Sequence, residues 1–178
     1  MKKMLPIILL SMITIGSVFA DINSQCPQHT AYGAPQHRNQ PGDQELCKIN
    51  YAVIHSCQFK NPIAVMEHIT PAAISGQAKR QDDFREDPAV TLQCRSRLPD
   101  YAGQPYDRGH MSAAAGNTQT PQIMSESFLL SNMVPQVPNN NRGIWRILEM
   151  QIRDQVAQTG QRSEEHTSEL QSRGLISY

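Results

Sequence analysis

Leu148, Ile152 and Val156 follow Ile144 at intervals of four residues, the spacing of one apolar face of an α-helix. Arg142, Arg146, Glu149 and Arg153 form a separate polar stripe on the same stretch. Pro138-Asn139-Asn140-Asn141 precedes both stripes, and asparagine is a favoured helix N-cap because its side chain accepts from an unpaired backbone N–H. Upstream, Phe128–Val134 reads as a strand stopped by Pro135, Ala113–Pro121 as a small, polar loop, and Tyr106–Met111 as a short strand. The stretch from Tyr106 to Val156 therefore reads strand, loop, strand, helix. Ile49–Phe59 and Ile63–Thr70 read as two further strands broken by Asn61-Pro62, a hairpin pattern. Pro71–Pro99 reads mostly as loop, and Asp21–Glu45 as an irregular polar segment. There are no internal repeats, and one domain is the natural count at this length.

The ends of the chain read differently from its middle. Lys2 and Lys3 precede an apolar run from Met4 to Phe19, and Val18-Phe19-Ala20 offers a signal-peptidase site. Residues 1–20 are expected to be a signal peptide cut before Asp21. The run is short for a spanning helix and no other segment could span a membrane, so the mature protein is expected to be secreted or periplasmic, with no membrane contact. All four cysteines, Cys26, Cys47, Cys57 and Cys94, follow the cut. In an oxidising compartment an even count implies two disulfides, with three possible pairings. Cys26 with Cys47 and Cys57 with Cys94 is the favoured pairing. No Cys-x-x-Cys spacing supports zinc. At the other end, Arg162–Ser172 matches a translated frame of a common sequencing adapter, and Ile176-Ser177-Tyr178 matches its continuation. The expectation is that residues 162–178 are adapter-derived, that 21–161 is the authentic portion, and that the real protein continues. The literal 178-residue chain is then expected to be unstable or inactive, while the full gene product is active.

Sixteen basic residues balance sixteen acidic ones, so no basic tail advertises a polyanionic partner. Any phosphate contact must come from a local cluster, and Arg142, Arg146 and Arg153 form the one dense candidate. His110 is a candidate base because imidazole titrates near neutrality. Asn141 offers a neutral oxygen to a hard cation, Arg108 can fork onto phosphate oxygens, and Gly109 allows close backbone approach to a substrate. Taken singly, each has a plainer reading. Asp107 can hold a turn, Asn141 can be a helix cap, and Glu149 with Arg153 can be a solvated ion pair.

The combination is more specific. Asp107-Arg108-Gly109-His110-Met111, Ser131-Asn132-Met133-Val134-Pro135-Gln136, Asn141-Arg142-Gly143-Ile144-Trp145 and Leu148-Glu149 resemble, in order, motifs of the DNA/RNA non-specific endonuclease family. Phe84-Arg85-Glu86-Asp87-Pro88 and Asn50-Tyr51-Ala52-Val53 add looser matches. That family includes endonuclease G and secreted bacterial nucleases with a ββα-metal (His-Me finger) active site. The resemblance implies an α+β fold with the ββα-metal core on an antiparallel sheet, here lacking the C-terminal part of the domain. It implies His110 as general base, Asn141 as the single protein ligand of Mg²⁺ (Mn²⁺ being another possible ion), and Glu149 hydrogen-bonded to the metal's waters. Arg108 and Arg153 would contact phosphate, with Arg142 a further candidate, and Asn132 would organise the site. The substrates would be DNA and RNA, cleaved to 5′-phosphate ends with little sequence preference, since phosphate carries no sequence information. Some members carry one more arginine shortly before the Phe84 stretch. Asp82 stands nearest that place, between Arg80 and Arg85, and either could substitute. The rival readings are a catalytically inactive nucleic-acid-binding relative and a disulfide-stabilised interaction module. His29, His37, His55 and His68 are read as structural, Trp145 as a packing anchor, and oligomeric state is left open.

Overall fold

A computed structural model describes residues 21–160 and the backbone of 162–167. The expected signal peptide and the end of the tail lie outside the described residues. A short helix, α1 (Ile22–Gln25), leads into a sheet whose strands are β1 (Gln44–Cys47), β2 (Tyr51–His55) and β3 (Pro62–Ile69). After α2 (Pro71–Ser75) and α3 (Leu98–Tyr101) comes β4 (Asp107–His110), then α4 (Pro121–Glu126), β5 (Met133–Gln136), α5 (Arg146–Thr159) and β6 (Arg162–Thr167). Among the described residues the larger sheet runs β1-β2-β3-β6, and β4 pairs with β5 alone. All named strand pairs are antiparallel.

β2 is buried along its whole length because both sheet faces are covered. Tyr51 and Val53 face one way, onto Leu46, Val65, Val90, Met111 and Val134. Ala52 and Ile54 face the other, onto Ile22, Cys26, Ala64 and Met66. The first of these layers carries the β4–β5 ribbon, so the sheet is the floor on which the ribbon rests. Both disulfides have the favoured pairing. Cys26–Cys47 ties α1 to β1, and Cys57–Cys94 ties the β2–β3 turn to the segment before β4. Loop closures of this size contribute about 3 kcal/mol each.

Three expectations are corrected. The strand expected at Phe128–Val134 begins only at Met133 and runs through Pro135 to Gln136, after a 3₁₀ turn at Leu130–Asn132. Pro135 is tolerated because β5 has a partner on one side only. The loop ending at Pro121 gives way to α4, whose start is fixed by Thr120 accepting from the Ile123 N–H with Pro121 in the first turn. The helix after Pro138 does not start on an asparagine cap, since Asn139 makes no side-chain capping bond. Residues 140–145 wind irregularly, with a kink at Gly143 (φ −99°, ψ −105°), before α5 becomes regular.

That kink splits the apolar stripe. Ile152 and Val156 are buried against Ile69 and Ala73, with Leu148 packed alongside, whereas Ile144 lies before the regular helix and is exposed. Gly160 ends α5 in the left-handed conformation (φ 91°), donating its N–H to Val156 O. The backbone of Arg162–Thr167, expected to be foreign, pairs as β6 with Ala64–Ile69 of β3. Among the described residues no helix is long and apolar enough to cross a membrane.

Candidate active site

Alternation along β4 puts Arg108 and His110 on one face and Asp107 and Gly109 on the other. On the first face the His110 ring meets Phe128 at 4.9 Å and Phe84 at 5.8 Å, both edge-on. Phe84 and Phe128 also contact each other at 5.0 Å. The Arg108 guanidinium stacks 4.0 Å above the Phe84 ring, and that of Arg80 lies 4.9 Å from the Phe128 ring. Two cations are therefore held on aromatic faces around one imidazole.

Of the two arginines flanking Asp82, Arg80 lies beside this ring cluster. Asp82 takes a left-handed conformation (φ 50°) and accepts from Arg80 Nε at 2.7 Å, which turns Arg80 towards the ring cluster. Arg85 points elsewhere, its Nη1 donating to Ser125 O and Asp83 Oδ2. Burial, reinforced by the charges of Arg80 and Arg108, drives the His110 pKa down to about 3. The imidazole is neutral in the folded protein, as a proton acceptor must be.

The shift has a thermodynamic consequence. The unfolded chain takes up the His110 proton near pH 6.5 and the folded chain only near 3. Stability from this group is complete above the unfolded value and is lost as pH falls through the interval. Replacing His110 with Phe, which keeps a ring in the cluster, should remove this term. Between about pH 7 and about pH 5 the variant is expected to lose about 2 kcal/mol less stability than the parent in urea titrations. Burial also lowers the pKa of His29 and His55, but both are present in each protein and cancel.

At the start of β4, Asp107 accepts Asn141 Nδ2 at 2.9 Å and a fork from Arg142, Nε at 2.8 Å and Nη2 at 2.6 Å. The Arg142 fork holds the Asp107 carboxyl below the usual carboxylate range, helped by Asn141. Arg142 is thus engaged by an ion pair rather than left as an uncommitted phosphate donor, although its side chain is largely exposed. Gly109 also has a different role from close approach to a substrate, because a Cβ there would overlap the buried Gln136 side chain.

Asn132 is fully buried, and its whole amide grips backbone. Its Oδ1 accepts from Ser112 N at 2.8 Å, and its Nδ2 donates to Ser112 O and Ser127 O, each at 2.9 Å. These contacts fix the chain leaving His110, so within the site Asn132 is a positioning residue. Sequence reading missed its partners. Ser112 Oγ donates to the buried Glu67 carboxylate at 2.6 Å and accepts from Asn117 Nδ2 at 3.0 Å. Ser112 and Asn117 are near neighbours in sequence, but Glu67 lies 45 residues before Ser112, and nothing local signals that it completes the network.

Glu149 and Arg153 rise from the first two turns of α5 and line, with Glu67 and Met111, a cavity of about 10 Å³. That is room for a single water. Arg153 Nη1 is buried with no hydrogen-bond partner among the described residues. His55 Nε2 donates to Cys94 O, and both His55 and Trp145 are buried, which suits packing roles for the two.

Comparison with known proteins identifies the chain's relatives. Residues 29–164 match the DNA/RNA non-specific endonuclease family. The chain is 36% identical to human "Nuclease EXOG, mitochondrial" over 114 residues, 64% of this chain and 31% of that protein. It is 35% identical to human "Endonuclease G, mitochondrial", over 61% of this chain and 37% of that protein. It is 42% identical to a protein named "Nuclease" from a Nostoc species, over 47% and 31% respectively. The chain thus spans about a third of the length of these relatives. Among solved structures, EndoG in its complex with EndoGI superposes with a TM-score of 0.70 at 27% identity, covering 84% of this chain and 59% of that one. With the family match extending over most of its residues and the antiparallel α+β architecture shared, the chain belongs to the DNA/RNA non-specific endonuclease family.

Proposed function

We propose that the full gene product is a secreted or periplasmic, metal-dependent endonuclease that hydrolyses DNA and RNA to 5′-phosphate ends with little sequence preference. The observation that carries this reading is a neutral, buried imidazole flanked by two guanidinia on aromatic rings. His110 accepts the proton of the attacking water. Arg80 and Arg108 hold the non-bridging phosphate oxygens and offset the charge that develops on them. Arg153 adds a donor from α5.

The residues fit a hard divalent cation. Asn141 Nδ2 is engaged by Asp107, leaving Oδ1 as an oxygen donor. Asn141 would be the one protein donor, with water completing the set. Mg²⁺, which keeps most of its waters, suits such a set, and Mn²⁺ can replace it. When bound, the cation supplies charge neutralisation at the scissile phosphate and leaving oxygen. Asn141 would hold it, and Glu149 would accept from its waters.

Secretion rests on the N-terminal apolar run and the two disulfides, which suit an oxidising compartment. Relatives named as mitochondrial offer a different address, and cell fractionation distinguishes them. The adapter origin of residues 162–178 belongs to the same proposal and is tested by resequencing the locus. The function is tested by incubating plasmid DNA and RNA with the gene product, with and without EDTA. Metal-dependent loss of both polymers is the expected result. Binding without cleavage would favour an inactive relative, and neither binding nor cleavage would favour an interaction module.

A further inference from the structure

Asp107 is bound by two consecutive residues from 34 and 35 positions downstream. All three contacts use donors, and a carboxylate only accepts. We propose that Asp107 is a positioning residue that fixes which end of the Asn141 amide faces a cation: it captures Nδ2 and so presents Oδ1. This rests on the reading of Asn141 as the metal-holding residue.

The chemistry behind it is simple. The two ends of a carboxamide have nearly the same shape, so packing alone orients them weakly. A flipped Asn141 would point two N–H donors at a cation and repel it. A carboxylate at 2.9 Å from Nδ2 removes that alternative, because the flipped amide would set oxygen against oxygen.

Arg142 completes the device. Its fork engages both carboxylate oxygens, so neither is left to swing towards the cation and replace Asn141. The carboxylate is held one hydrogen bond away from the ion. The irregular winding of residues 140–145 and the kink at Gly143 place Asn141 and Arg142 outside the regular course of α5, where both reach one side chain on β4. A helix begun on an asparagine cap would have turned that amide to its own backbone instead.

The test is Mn²⁺ affinity of the metal-free gene product, without nucleic acid, by electron paramagnetic resonance titration. A ¹⁵N spectrum of the Asn141 side-chain NH₂, identified by its loss in Asn141→Asp, gives a second readout. Asp107→Ala is expected to weaken Mn²⁺ binding about 10–100-fold and to shift the Asn141 NH₂ signal. Asp107→Asn, whose amide oxygen can still accept from Asn141, should recover part of the affinity. Should Asp107→Ala fail to fold by circular dichroism, Arg142→Met tests the same chain of contacts from its exposed end, and a loss of a few-fold is expected. Parent-like affinity or an unmoved NH₂ signal in a folded Asp107→Ala, or parent-like affinity in Arg142→Met where Asp107→Ala does not fold, would overturn the proposal. Asn141→Ala separates the two levels. If it binds Mn²⁺ like the parent, the ligand reading and this proposal both fall. If it loses binding while the Asp107 variants keep it, the positioning role alone is wrong.

Discussion

His110→Ala is expected to slow cleavage of both plasmid DNA and RNA by about 10²–10⁴-fold at saturating metal, the usual contribution of a positioned acid–base group. The loss should appear in kcat more than in KM. Arg80 and Arg108 are anchored on Phe128 and Phe84 and do not depend on the imidazole for their places, so substrate binding should largely survive. Removing a ring from between Phe84 and Phe128 leaves a cavity, and losses of a few kcal/mol in stability are usual for such changes. Activity must therefore be compared below the unfolding transition of the variant. His110→Gln, which fills more of the space, gives a second comparison with the same expected loss of rate. Exogenous imidazole can enter the cavity left by alanine and should restore part of the rate there but not in the glutamine variant. A folded His110→Ala protein that retains more than about a tenth of parental kcat would remove His110 from the role of base.

The parts of this site that were legible in the sequence are those governed by short-range periodicity. Leu148, Ile152 and Val156 announce the helix, and they do dock on Ile69 and Ala73. Tyr106–Met111 reads as a short strand, and Asp107–His110 within it is one. Ile144 belonged to the same stripe on paper, but periodicity does not register the kink at Gly143 that exposes it. Pro135 was read as a strand terminator because the rule for proline depends on which neighbours a strand has, and those are a tertiary fact.

The partners of the candidate site residues were not legible for a related reason. Arg142, Arg146 and Arg153 look equivalent as a count of positive charge, yet Arg142 is engaged by Asp107 across 35 residues. Asn132 sits in a family motif and reads as an organiser of the site, but only the fold shows that its amide does so through the backbone of Ser112 and Ser127. Arg80 and Arg85 could not be separated until the left-handed turn at Asp82 was seen to send them in different directions. Motifs locate chemistry, but the partner of each charge decides its role.

Asp87 shows the same point with the largest expected cost in stability. It lies in the Phe84-Arg85-Glu86-Asp87-Pro88 stretch, and its carboxylate is 1% exposed. Lys48 Nζ lies 2.7 Å from Oδ2, with its own side chain only 8% exposed. Ser131 Oγ donates to Oδ2 at 2.5 Å, and Ala89 N donates to Oδ1 at 2.9 Å. Burial pushes this carboxyl up, but the Lys48 and Ser131 contacts hold it below its ordinary range. Its stabilising effect is accordingly present above the ordinary carboxylate value and is lost as pH falls through the folded one. Asp87→Ala would leave a buried ammonium, a hydroxyl and an N–H without their acceptor. The expected destabilisation is about 3–5 kcal/mol, read by urea or thermal unfolding of the gene product. Lys48→Met in the same chain should return part of that loss, because the charge left unpaired is then absent. The effect should also reach the active site. Ser131 precedes Asn132, which holds Ser112, two residues beyond His110. Activity in Asp87→Ala is thus expected to fall even where the protein remains folded. A loss below about 1 kcal/mol, or a double variant no more stable than Asp87→Ala, would show that Lys48 finds water or another partner and that the pair is not what ties this loop to the site.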